Sequence, residues 1–221
     1  MLAIGVGDST VSVRLGEPHQ RRVALDRVFD AARPAAVFHL AAQASVTASV
    51  DDPVRDCRVN VEGTLNVVDA AARHGAPLVF TSTGGALYGD EAPLPTPESF
   101  FARPVAPYGI SKLAGEAYVR GWSDARGVPN AICRLGNVYG PRQSPHGEAG
   151  VVAIFSHRLW SGQGLVLYGH GTPTRDYVHV EDVVRGLLAA SGTSGTYNVA
   201  TGVGTDVRTL LDHLEAASGR S

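Results

Sequence analysis

Short apolar runs alternate along the chain with longer stretches whose apolar residues recur at helical spacing, the pattern of strands joined by helical crossovers. Residues 23–33 (VALDRVFDAAR) keep the helical period up to Pro34, and AVFHL at 36–40 then reads as a buried strand. Asp52 and Pro53 suit the N-cap and first position of a second helix, which runs through VNVEGTLNVVDAAARHG to a C-capping Gly75 and leads into a strand at 78–81. A third helix starts near Pro107, carries YGISKLAGEAYVRGWSDAR and stops at Gly127, ahead of a strand at 130–135. Beyond it, 151–160 and 180–190 read as helices, 165–167 and 196–199 as short strands, and 206–217 as a final amphipathic helix. This alternation predicts an α/β fold with a largely parallel sheet. The 221 residues show no internal repeat and no linker long enough to separate independent domains, so a single domain over 1–221 is expected.

Composition narrows the function classes. Nineteen Lys+Arg against 21 Asp+Glu leave a net charge of −2 and no basic run to neutralise phosphates along a duplex, which argues against nucleic acid as a partner. The two cysteines, Cys57 and Cys133, lie far apart and outside any metal-ligand spacing, so reduced thiols and a cytoplasmic location are expected. The apolar start MLAIGVGDSTVSV lacks a basic n-region, and no run of about 18 apolar residues occurs, so neither an export signal nor a membrane span is expected. One count changes the picture: of the 19 cationic side chains, 18 are Arg and one is Lys, Lys112. A chain that uses Arg nearly everywhere and Lys once points to a position that needs a compact ammonium.

Lys112 follows Tyr108 by four residues on the expected third helix, which puts both on one face. A free phenol ionises near pH 10, too high for a base at neutral pH, and an adjacent cation is expected to bring it down. Upstream, Thr81, Ser82 and Thr83 end a strand, and Gly84 and Gly85 let the backbone pass close to a ligand. The plain alternatives are a tyrosine and lysine on a solvated helix face, and an ordinary strand-to-loop turn.

From residue 36 onward the chain closely resembles the extended short-chain dehydrogenases, and within them the NAD-dependent nucleotide-sugar epimerase and dehydratase group. The resemblance covers about four fifths of the chain and is carried by VFHLAAQASV, NVEGTLNVVDAA, FTSTGGALYG, YGISK, RLGNVYGPRQ, TRDYVHVEDVV and YNVATG, in the group's order. The STGGALYG wording and the segment GPRQSPHGEAGVV are most similar to UDP-glucose 4-epimerases, whereas 4,6-dehydratases carry an acidic pair after the threonine.

The resemblance implies a Rossmann-type, doubly wound domain with the reacting groups at the carboxyl ends of the strands. It implies NAD as cofactor and a UDP-sugar as substrate, epimerised at C4 through a transient 4-ketose. Tyr108 would be the acid/base on the sugar 4-hydroxyl, Lys112 its tuner and ribose anchor, and Thr83, preferred to Ser82 on spacing, the hydroxyl that orients the substrate. Leu40, Ala41, Ala42, Gln43, Asn60, Thr81 and Ser82 would join Tyr108 and Lys112 around the cofactor. Small residues after a strand are otherwise routine packing, and Asn60 could equally be a helix-interior Asn bonded to backbone. Asn137, Val151, Val152, Tyr168 and Arg175 would contact the substrate, the Arg175 fork on its phosphates, within segments at about 137–175 and 196–221. A homodimer, paired through the helices after Asp52 and Pro107, is implied as well. Other nucleotide-sugar epimerases, decarboxylases or 4,6-dehydratases are the nearest alternatives, with a non-catalytic nucleotide-sugar-binding remnant as the reading from another class.

Asp176, His179, Glu181 and Asp182 invite a metal reading, yet they fit better as residues opening the helix at 180, and no metal is expected. The start departs from the group's pattern. Gly5 and Gly7 in GVGDST do not reproduce its glycine-rich turn, since Thr10 stands where a third glycine belongs. The first βαβ unit and the last C-terminal helices are therefore expected to be missing, which places activity of this chain alone in question.

Overall fold

The computed structural model describes residues 2–6, 9–13, 18–146 and 150–220, with side chains from residue 22 onward. Two strands, β1 (Leu2–Val6) and β2 (Ser9–Val13), pair antiparallel with each other and with no other described strand. Then come α1 (Pro18–Ala32), β3 (Val37–His39), α2 (Val46–Asp51), α3 (Pro53–Cys57), a π turn at Arg58–Glu62, α4 (Gly63–Arg73), β4 (Leu78–Thr83), α5 (Pro107–Arg126) and β5 (Asn130–Leu135). The rest of the chain supplies β6 (Asn137–Tyr139), α6 (Val151–Trp160), a 3₁₀ turn at Tyr168–Gly171, β7 (Thr174–Arg175), β8 (Tyr177–His179), α7 (Val180–Ala190), β9 (Gly195–Val199), β10 (Thr205–Asp206) and α8 (Val207–Ser218).

The central sheet runs β3-β4-β5-β9, all parallel. Its pleat sorts side chains to two faces. Leu78, Phe80 and Ile132 meet Leu25 and Phe29 of α1, Val67, Val68, Ala70 and Ala71 of α4, and Val119 of α5. Val79, Ala131 and Cys133 meet Val183, Leu187 and Ala190 of α7 on the other face. Helices on both faces of a parallel sheet make the fold doubly wound and Rossmann-like; the alternation predicts the parallel sheet and the family resemblance the double winding. A separate cluster joins Phe155 and Leu159 of α6 to Leu211 of α8.

Local chemistry sets the element ends. Ser45 caps α2 by accepting from the Ala48 N–H at 2.9 Å, and Asp52 caps α3 by accepting from the Arg55 N–H at 2.9 Å, with Pro53 in the first position. Pro107 opens α5 and Gly127, at φ 66°, closes it.

Several sequence expectations need correction. The helix expected from Asp52 to Gly75 is instead α3, a π turn and α4, and α2 precedes it within a stretch the pattern leaves unassigned. Residues 165–167 form no strand; Leu165 and Leu167 pack onto the α6–α8 cluster instead. Asp176 does not open α7, because its carboxylate accepts from Thr201 N, Thr201 Oγ1 and Gly202 N and so fastens the loop after β9. His179 caps α7, and Glu181 and Asp182 fill its first turn, as expected.

A buried ion pair joins α5 to β5. Arg134 grips Glu116 with Nε to Oε1 at 3.0 Å and an Nη to Oε2 at 2.7 Å, and Ser82 Oγ donates to Oε1 at 2.6 Å. The other Arg134 Nη donates to the Tyr88 hydroxyl at 2.9 Å and the Glu98 carbonyl at 3.1 Å. Arg134→Met strands the Glu116 charge and is expected to cost about 3–5 kcal/mol in urea unfolding, whereas Glu116→Leu with Arg134→Met should recover much of that loss. A double variant as unstable as the sum of the singles would show that the pair does not act as a unit.

His39 supplies a pH prediction. Its ring is buried, meets Thr64 Oγ1 at 3.0 Å, and is held down to about 3 by burial and then by the Lys112 charge. Between that value and the ordinary 6.5 the unfolded chain binds the extra proton, so stability should fall as pH drops through that window, by up to about 1.4 kcal/mol per unit. In His39→Gln the part of the slope owed to this ring should vanish from acid-unfolding curves.

Candidate active site

The carboxyl ends of β3, β4 and β5 and the start of α5 converge. Thr83 ends β4, and Tyr108 stands in the first turn of α5 with Lys112 one turn further on. The Tyr108 phenol faces the Thr83 hydroxyl, which favours its ionised form. Thr83 Oγ1 also accepts from the Ala86 N–H at 3.2 Å, which closes the turn after the strand. Tyr108 is fixed from its backbone: its N–H donates to Ser49 Oγ at 3.1 Å, and its carbonyl accepts from Ser111 Oγ at 3.0 Å.

Two glycines let α5 lie this close. A Cβ on Gly109 would overlap the Ala86 carbonyl oxygen and stand 2.8 Å from Pro104 Cβ, and one on Gly115 would stand 2.9 Å from the Phe80 ring. The helix therefore seats on β4 and on the turn that follows it.

Electrostatics overturn one expectation. The Tyr108 phenol is raised, not lowered: burial comes first, contact with Thr83 opposes it, and the Asp56 charge adds to it. The Lys112 ammonium turns inward, 4.2 Å above the Phe80 ring centre, and burial brings it down to about 8 against the pull of Glu116 and Asp56. The sequence spacing puts both groups on one helix face but does not say how deep each lies.

The residues expected around a cofactor fall into two sets. Leu40, Ala41 and Ala42 form an exposed, mostly small stripe just beyond β3. Gln43 follows them and is clamped: its N–H donates to Asn60 Oδ1 at 2.8 Å, its carbonyl accepts from Asn60 Nδ2 at 2.9 Å, and its Nε2 donates to Asp56 Oδ1 at 2.8 Å. Asn60 thus bonds the backbone of another segment and reaches Ser111 Oγ on α5 at 3.1 Å. Thr81 and Ser82 spend their hydroxyls inside the fold, on the His39 carbonyl at 3.0 Å and on Glu116.

The residues expected at the substrate are less gathered. Asn137 opens β6, with Oδ1 3.7 Å from where a Gly85 Cβ would stand, and so faces the turn after Thr83. Its N–H donates to the Asp176 carbonyl at 2.7 Å, one residue from the exposed Arg175. Val152 lines a cleft of about 450 Å³ with Tyr139, Gln143, His157 and His179, while Val151 packs toward α8. Tyr168 stands almost wholly exposed in the 3₁₀ turn.

Sequence reasoning passed over Asp56, Ser49, Ser111, Glu116 and Arg134. The readable signals were i,i+4 spacings: Asp56 precedes Asn60 by four residues, and Glu116 follows Lys112 by four. Among the described residues no group of three His, Cys, Asp or Glu is placed to hold a metal ion. No helix among them is long and apolar enough to cross a membrane.

This arrangement has known counterparts. The chain is 45% identical over 191 residues to a UDP-glucose 4-epimerase of Mycolicibacterium smegmatis, covering 85% of this chain and 61% of that protein. It is 40% identical to a putative UDP-glucose 4-epimerase of Methanocaldococcus jannaschii, covering 83% and 61%. Among solved structures, the UDP-glucose 4-epimerase of Thermotoga maritima with UDP-glucose superposes with a TM-score of 0.87 at 43% identity, covering 90% of this chain and 66% of that one. The Thermus thermophilus UDP-glucose 4-epimerase in complex with NAD gives 0.84 at 44% identity, covering 90% and 67%. The chain spans about three fifths of the length of the curated relatives it matches. With the profile of the NAD dependent epimerase/dehydratase family matching residues 16–200, and relatives of that kind at 40% and 45% identity, the chain belongs to that family.

Proposed function

We propose that the chain carries the reacting half of an NAD-dependent 4-epimerase acting on a UDP-sugar of the UDP-glucose and UDP-galactose kind. The observation that carries this reading is the seating of the Tyr108 phenol against Thr83 with the Lys112 ammonium buried beneath, at the open ends of β3 and β4. The residues present suit the redox end of NAD: the exposed Leu40-Ala41-Ala42 stripe leaves the backbone approachable, and Gln43 and Asn60 hold that loop rigid beside the tyrosine. When bound, NAD accepts a hydride from the sugar C4 and returns it.

The chain's own residues move the proton. Tyr108 takes the proton of the sugar 4-hydroxyl as the 4-ketose forms and gives it back when the ketose has turned over and is reduced on its other face. A phenol raised by burial needs positive charge to act as a base; Lys112 supplies one, and the oxidised cofactor would supply a second. Thr83 holds the hydroxyl in line with the phenol oxygen. On this reading Asn137 and Arg175 would contact the substrate diphosphate, and Val152 and Tyr168 the uridine or sugar, while Val151, expected beside them, packs toward α8. Glycines at 84 and 85, in place of an acidic pair, favour epimerisation over 4,6-dehydration.

Tyr108→Phe should lower interconversion of UDP-glucose and UDP-galactose by about 10²–10⁴-fold in a coupled assay while leaving the urea midpoint nearly unmoved. A phenylalanine variant that turned over at the parent rate would remove the acid/base assignment.

We further propose that two copies meet through the outer faces of α3, the π turn after it and α5, where Val54, Val59, Ile110 and Tyr118 stand exposed. Ile110→Glu is then expected to convert a sedimenting dimer to monomer; a parent chain that sediments as monomer at micromolar concentration contradicts the pairing.

A further inference from the structure

Four charged side chains are buried beneath the site, Asp56, Lys112, Glu116 and Arg134, none more than 5% exposed. Two of them answer each other. Glu116 takes both arms of Arg134, and its remaining capacity goes to Ser82 and to Arg120, whose Nη lies 3.3 Å from Oε2. The other two have no such partner: among the described residues neither Asp56 nor Lys112 forms an ion pair within 4.0 Å. Asp56 Oδ1 accepts from Gln43 Nε2 at 2.8 Å and from Asn60 Nδ2 at 3.0 Å, but Oδ2 is buried with no hydrogen-bond partner. A buried carboxylate half satisfied by neutral amides is costly unless an opposite charge stands near it, and so is a buried ammonium.

We propose that Asp56 is a positioning residue of the reaction site, the resident counter-charge of the Lys112 ammonium, fastened in place by Gln43 and Asn60. Glu116 and Asp56 both favour the Lys112 ammonium, Glu116 the more strongly, but Glu116 is already held by Arg134 and Asp56 is the one of the two with no cation within 4.0 Å among the described residues. What this pairing does for the reaction rests on the reading of Tyr108 and Lys112 above; the pairing itself stands on the burial just given and on Asn60, whose Nδ2 meets both Asp56 Oδ1 at 3.0 Å and, at 3.1 Å, the Oγ of Ser111, the neighbour of Lys112 in α5.

The groups around Lys112 agree with it. His39 faces it from β3 and is kept neutral by burial and by the ammonium, while the Phe80 ring faces it from β4. Asp56 faces it from α3, and Tyr108 and Glu116 from its own helix. Asp56 favours the charged form of Lys112 and opposes ionisation of Tyr108, so one carboxylate holds both protons in place until positive charge arrives above the phenol.

The chain has a single lysine, which makes the test direct. In protein labelled with [¹³Cε,¹⁵Nζ]lysine, one side-chain resonance reports Lys112, with an expected midpoint of about 8. Asp56→Asn keeps an acceptor for Gln43 but removes the charge, and should move the midpoint down by about one unit. Asp51→Asn, at the exposed end of α2, should leave it in place. An unchanged midpoint in Asp56→Asn, or an equal shift in Asp51→Asn, overturns the proposal. Should Asp56→Asn fail to fold, adding Lys112→Met should restore folding, since the stranded ammonium is gone; a double variant that unfolds like the single also overturns it. No turnover enters these readouts, so they stand apart from the fate of Tyr108→Phe.

Discussion

Helix α5 can hold a phenol beside Thr83 because its middle is fastened to the sheet by the bidentate grip of Arg134 on Glu116. The grip does not stop at two residues. The same carboxylate takes the Ser82 hydroxyl, one residue before Thr83, so the strand end and the helix share one anchor. The same guanidinium holds Tyr88, whose hydroxyl donates to Asn198 Oδ1 on β9 at 2.7 Å, and Asn198 in turn ties down the Thr96 carbonyl and the Glu98 carboxylate. Strands β4, β5 and β9, helix α5 and the long segment between β4 and α5 thus meet in one polar knot. Such a knot is costly to leave half made, which fixes the register of its members.

A second network lies on the other side of α5. Ser49 and Ser111 hold the Tyr108 backbone, Asn60 bridges Ser111 to Gln43, and Asp56 joins Asn60 to Gln43. The loop beyond β3 and the start of α5, distant in sequence, are therefore joined by one chain of hydrogen bonds. The π turn at Arg58–Glu62 contains Asn60, and such turns recur where a helix must aim a side chain rather than simply continue.

The sequence made much of this legible and left the rest dark for physical reasons. Helix α5, strand β5 and the parallel sheet followed from periodicity, because burial on both faces writes short apolar runs at 78–80 and 131–133 within the two central strands. Pro107 and Gly127 marked the ends of α5 through backbone geometry alone. The break at Arg58–Glu62 was hidden, since a π turn shifts hydrogen bonds without altering residue types. Tyr108 and Lys112 were visible as a spaced pair, but the sign of the phenol's shift was not: spacing reports who shares a face, whereas ionisation depends on depth and on charges such as Asp56 that come from elsewhere in the chain. Gln43 and Asn60 were picked out by resemblance, yet their mutual bond belongs to tertiary structure and has no trace in local pattern.

The lone lysine has a consequence for handling the protein. Lys112 is 3% exposed and packed over Phe80, so in the folded chain the one ε-amine is shut away from reagents in solution. Acylation of that amine can proceed only as fast as α5 lifts from the sheet, and its rate in dilute anhydride or succinimidyl ester becomes a clock for that opening alone. The arginine side chains of the surface stay silent to the same reagent.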